Sequence, residues 1–212
     1  MTPTIEAQLR KKLERLSQLR PGVFGSDAHN FELHPPLSEA RVAQFERHAK
    51  IALPSDYRWF ITTIGDGGAG PFYGVFRLGE MDDDFASRRW QEGDAVVGSL
   101  AAPFLLSDEW NDLTGKPEDS RSEDDPDAYE AQLDAFEERY FHPVDGAIPI
   151  CHRGCALRVW LVVSGPETGN LWDDNRADYE GFAPIAASNA PRTSFLTWYH
   201  GWMDTSLERT NV

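Results

Sequence analysis

The sequence predicts an α+β domain: helices first, then a run of short strands, then a closing helix. Three observations predict it. Apolar residues recur at helical spacing from the N-terminus to residue 64 and again over 194–207. Between these stretches lie short β-branched and aromatic runs separated by Gly, Pro and acidic turns. No internal repeat and no domain boundary divides the 212 residues.

Ile5, Leu9, Leu13 and Leu16 predict a first amphipathic helix over 4–19, which Pro21-Gly22 ends. Residues 21–36 contain three prolines and form a loop, so 1–36 is a helix and loop ahead of the main unit, 37–212. Ser38 suits the N-cap of a second helix carrying Val42, Phe45 and Ala49 on its apolar face. Leu53-Pro54 breaks that helix and opens a third, with Pro54 at its first position and Tyr57, Phe60, Ile61 and Ile64 as its buried stripe.

The glycines of "GDGGAG" (65–70) follow directly. Such a stretch can cradle a phosphate or stop a helix. A phosphate loop runs from a strand into a helix N-terminus and uses a Lys. Here the order is helix, glycines, strand; no Lys lies between Lys50 and Lys116, and Asp66 would repel an anion. The helix stop is the reading the order favours.

Strands are expected at 72–78, 95–100 and 104–107, with "MDDDF" (81–85) as an acidic turn. Residues 116–127 hold six acids within 118–127 and read as a solvated insert. A helix over 128–141 places Leu133, Phe136 and Tyr140 on one side. "AIPIC" (147–151) and "ALRVWLVVSG" (156–165) make two strands across a tight "HRG" turn, the second rich enough in Val, Trp and Leu to be central. "GNLWDD" (169–174) and "FAPIA" (182–186) add short strands, and 194–207 closes the chain as a helix with Phe195, Leu196, Tyr199, Trp202 and Met203 on one broad face.

The charge is uneven. Net charge is −15: residues 1–50 carry 8 Lys/Arg against 6 Asp/Glu, whereas 51–212 carry 12 against 29, a net of −17. A body this acidic repels phosphate backbones, which excludes direct nucleic-acid binding, and it attracts basic proteins. No apolar run approaches the roughly 18 residues of a membrane span, and the charged N-terminus lacks the apolar core of a secretory signal. With 2 Cys among 212 residues, a reducing, cytoplasmic location is expected.

Several residue groups carry candidate chemistry. Cys151 and Cys155 bracket His152 in "CHRGC", a weak zinc spacing against the alternative of small apolar residues at a turn. Asp82-Asp83-Asp84 and Asp173-Asp174 offer carboxylates for a cation or acid–base pair, yet neighbouring side chains on a strand point to opposite faces. "VSGPETG" (163–169) lacks the preceding glycine of a nucleophile elbow. Trp59, Trp160 and Trp198 sit in apolar patterns and belong partly or wholly to the core. Trp110 and Trp172 adjoin acids, as Glu109-Trp110 and Trp172-Asp173-Asp174, and read either as interface anchors or as lids on the core.

The order of "LPSDYRWFITTIGDGG" (53–68), "GCALRVWLVVSG" (154–165), "GNLWDD" (169–174) and "FLTWYHGWM" (195–203) resembles the SUKH superfamily, which includes fungal cell-wall regulators and many bacterial immunity proteins. The resemblance runs over about 37–207; the first helix and the acidic insert depart from it. It implies a mostly antiparallel mixed sheet flanked by N-terminal helices and a C-terminal helix, with a concave protein-binding surface. It implies no catalytic activity and no cofactor. Together with the acidic body it points to an immunity protein that occludes the active site of a cognate basic, nucleic-acid-targeting toxin, acting as a monomer or homodimer. The expected contact residues are Asp82, Asp83, Asp84, Glu109, Trp110, Trp172, Asp173 and Asp174. A regulatory scaffold without a toxin partner and a metal-dependent hydrolase using the carboxylates are the alternatives.

Overall fold

The computed structural model describes residues 4–83, 86–89, 96–119 and 125–209, with only the backbone described at 82, 83 and 86–89. The expected α+β class holds: helices, then strands, then a helix around one main sheet. Helix α1 (Ile5–Leu19) starts where Thr4 accepts the Ala7 N–H. Its stripe Leu9, Leu13 and Leu16 is buried within the chain, so this face is not free to pair with a second copy. A short helix α2 (Ser26–His29) interrupts the expected proline loop. Helix α3 (Glu39–Ala49) is capped by Ser38, which accepts the Arg41 N–H. Helix α4 (Ser55–Thr63) follows Pro54, which is the N-cap rather than the first helical residue.

The main sheet is antiparallel, in the order β3 (Ala147–Gly154), β4 (Leu157–Val162), β5 (Leu171–Asp174), β6 (Phe182–Pro184). Strand alternation sends Val159, Leu161 and Leu171 to one face and Trp160, Val162 and Trp172 to the other. The first face packs on α1, α3, α4 and the C-terminal helix α6 (Phe195–Glu208). There Phe60 meets Phe195 and Tyr199 edge-on at 4.9 and 4.7 Å between ring centroids, and Asp56 accepts the Leu196 N–H at 3.1 Å, satisfying a donor at the start of α6. The second face is covered by Phe104, Leu106, Trp110 and Val144. Helix α5 (Pro126–Tyr140), capped by Asp125, adjoins this layer through Tyr140, which stacks on Trp110 at 5.5 Å.

Several expected strands are not strands. Within 72–78 only Val75 bridges, joining Gly68 to Cys151. Phe72 and Gly74 there have positive φ, which breaks an extended ladder. Described residues of 95–100 contribute a single bridge, Val97 to Val144, and 104–107 runs as loop against the sheet. The acidic "MDDDF" is not simply a turn: Glu80–Asp83 is strand β1, paired with β2 (Ala86–Arg89), while Asp84 and Phe85 lie outside the described residues. The hairpin between β3 and β4 turns at Cys155-Ala156, not at "HRG"; an irregular register between His152 and Gly154 carries the strand three residues further.

Candidate functional site

The glycine-rich segment is occupied by its own chain. Gly68 exchanges backbone hydrogen bonds with Val75 at 2.8 Å each way, and the Ala69 N–H donates to the Glu32 carbonyl at 2.7 Å. A Cβ at Gly67 would lie 2.6 Å from the Val75 oxygen and one at Gly68 2.4 Å from the Glu32 oxygen, and both have positive φ. The glycines therefore permit close backbone approach, and the Gly68 and Ala69 N–H groups that a phosphate would use already donate within the chain. Asp66 is 2% exposed and accepts the Leu78 N–H at 2.9 Å and the Arg77 Nε–H at 3.4 Å. Burial pushes its carboxyl above the usual range, and these two donors oppose the shift.

Of the expected contact residues whose side chains are described, some lie at the surface and others in the core. Asp82 and Asp83 stand on the separate β1–β2 hairpin, and Asp84 lies outside the described residues. Glu109 is exposed. Trp110 is half-buried: its backbone N–H and C=O pair with Phe182 at 2.9 and 2.8 Å, extending the edge of β6, and its ring stacks on Tyr140. Trp172 is fully buried and meets Phe104 edge-on at 5.0 Å, so it is a core residue rather than an anchor.

Asp173 and Asp174 point to opposite faces of β5, as the pleat requires. Asp173 pairs with Arg153 at 2.9 Å; burial raises its carboxyl and Arg153 counters this. Asp174 is buried and holds the Arg176 guanidinium through both oxygens, at 2.9 Å (Nε) and 2.8 Å (Nη2). It also accepts the Trp160 indole N–H at 3.2 Å. Asp174 is thus a structural carboxylate and leaves the contact surface with Trp172. The "CHRGC" pair also separates, since Cys151 is buried in β3 and Cys155 is exposed at the hairpin tip; neither is in a disulfide. Among the described residues no group of three His, Cys, Asp or Glu could hold a metal ion.

What the fold does gather is an acidic lobe that residue-by-residue reading missed. Its described residues, 108–119 and 125–139, carry 11 Asp/Glu against 2 Lys/Arg; over the whole stretch 108–139 the sequence counts 13 against 3, a net of −10 within the total of −15. On α5, Asp127, Glu130, Asp134 and Glu138 are all exposed and fall three or four residues apart, hence on one face. The opposite face buries Phe136 and Tyr140. The signal was in "DAYEAQLDAFEE", where acids share the helical period of the apolar residues. Arg176 fixes the lobe to the sheet, donating to the Tyr140 and His142 carbonyls at 3.3 and 2.9 Å just past the end of α5. Arg139 pairs with Asp112 at 2.7 Å and donates to the Thr114 carbonyl, tying α5 to the preceding segment. Tyr179 donates to Glu137 at 2.5 Å, which with burial pushes the phenol up to about 12.

Among the described residues no helix is long and apolar enough to cross a membrane. The model of the SMI1/KNR4 family (SUKH-1) matches residues 36–180, more than half of the chain. That span takes in α3, α4, the acidic lobe and the sheet up to β5, and leaves out α1, α2, β6 and α6. Comparisons with curated proteins and with solved structures give no match.

Proposed function

The chain belongs to the SMI1/KNR4 (SUKH-1) family, and on that premise we propose that it is an immunity protein: a cytoplasmic, non-catalytic binder that neutralises a cognate secreted toxin by occluding its active site. The observation that carries this reading is the acidic lobe, with its net of −10 over residues 108–139 and its four-acid face on α5. A toxin that acts on nucleic acid presents a basic cleft, and a rigid row of carboxylates offers that cleft the charge of its substrate. Glu109 lies at the lobe's start beside half-buried Trp110, so an aromatic edge accompanies the charge. Asp82, Asp83 and Asp84 supply a second acidic segment whose contribution a separate set of variants tests.

The hydrolase reading is disfavoured by how three carboxylates are used, two of them buried and Asp173 half-buried. Asp66, Asp173 and Asp174 each face a cationic or backbone donor of the same chain, and none is left to hold a cation or move a proton. The test is affinity capture of the tagged chain from its own cells, then stopped-flow association with the captured protein. A single dominant partner, toxic when expressed alone and binding more slowly as salt rises, is expected. A partner that is harmless alone, or an association rate indifferent to salt, refutes the proposal and favours the regulatory scaffold.

A further inference from the structure

A groove of about 730 Å³ opens along one flank of α6, between that helix, residues 185–193 and the segments around Phe24 and Phe72. Its walls are apolar, with Phe24, 60% exposed, and Phe72 facing half-buried Trp198 and Trp202. The volume is that of a small-molecule site. Two polar side chains make it more than an apolar face. Ser206 is 1% exposed and Thr193 4% exposed, both line the groove, and neither hydroxyl has a hydrogen-bond partner among the described residues. Neither oxygen is a fully buried orphan, so both reach into the groove, where a hydroxyl can donate to or accept from a ligand's polar atom.

The charge of the lining narrows the ligand. Among the described residues no Asp or Glu lines the groove, and the charged side chain there is Arg209, which has no ion pair among them. We propose that this groove binds a small amphipathic carboxylate, its aliphatic or aromatic body between Trp198, Trp202 and Phe72 and its head group toward Arg209 and the two hydroxyls. The site lies apart from the acidic lobe and is independent of the immunity reading.

The fold supplies a variant that blocks the groove without disturbing the core. Gly201 lines it from α6, and a Cβ there meets nothing within 4 Å. Gly201→Leu therefore fills the space while favouring the helix. The experiment titrates the full chain with octanoate, 1-octanol and octyltrimethylammonium, read by tryptophan fluorescence and calorimetry. Saturable one-to-one octanoate binding is expected, weakened at least about tenfold by Gly201→Leu with an unchanged or raised melting temperature. Arg209→Gln should remove the preference for octanoate over octanol, and Ser206→Ala should weaken both. No saturable binding, equal binding of the ammonium compound, or binding untouched by Gly201→Leu overturns the proposal.

Discussion

Replacing Arg176 by Met removes the guanidinium that holds the acidic lobe on the sheet. The residue is 4% exposed, and its loss strands several groups at once. Asp174, 5% exposed, loses both charged hydrogen bonds and keeps the Trp160 indole and the residue-176 backbone N–H. The Tyr140 and His142 carbonyls lose their donor, and the stacking of the guanidinium over Phe182, 4.5 Å from the ring centroid, disappears. Removing one partner of a buried pair costs about 3–5 kcal/mol, because the other charge is left uncompensated. For a domain of this size that lowers the melting temperature by roughly 10 °C. Urea unfolding followed by tryptophan fluorescence measures it. Converting Asp174 to Leu as well should recover part of the loss, because the stranded carboxylate is then gone. A loss below about 1 kcal/mol for Arg176→Met alone would refute the argument that this pair anchors the lobe.

Three further outcomes follow from local geometry. Burial holds His29 near pKa 4, below its ordinary 6.5, while its Nδ1 accepts the Phe31 N–H. Folding thus favours the neutral ring, so its full contribution is present above pH 6.5 and is lost as pH falls toward 4. The loss reaches about 3 kcal/mol, and His29→Asn should flatten that part of the stability–pH curve; parallel curves contradict it. Gly68→Ala, which brings a Cβ within 2.4 Å of the Glu32 oxygen at φ +102°, should destabilise by about 3 kcal/mol or more, whereas Gly22→Ala, with nothing within 4 Å, should stay within about 0.5 kcal/mol in the same urea assay. Cys155 (φ 50°) and Ala156 (φ 60°) both occupy the left-handed region at the hairpin tip, so Asn-Gly in their place should stabilise by about 1 kcal/mol; no gain in thermal melts contradicts the turn geometry.

The helices were legible because each rests on a local rule: Ser38 as a cap, and Leu9, Leu13 and Leu16 at helical spacing. The strand 157–162 was legible from its Val, Trp and Leu content. Residues 72–78 and 104–107 misled because apolar, aromatic loops that cover a core have the same composition as strands. At Trp172 and Asp174 the neighbouring acids suggested a wet surface. Burial there depends on Phe104 and Arg176, and Phe104 lies far away in the chain, so no local pattern announces it. The same limit hid the groove, whose walls come from residues near 24, 72, 190 and 200.

On the proposed immunity reading, the acidic face of α5 neutralises a toxic basic partner. The most direct measurement is growth of cells expressing the captured partner together with either the wild-type chain or the variant Glu130→Lys, Asp134→Lys, Glu138→Lys. All three positions are exposed on α5. Rescue by the wild type and failure of the variant, at equal expression and equal melting temperature, is the predicted result. Equal rescue by both would remove the lobe from the interface, and rescue by neither would contradict the immunity function itself.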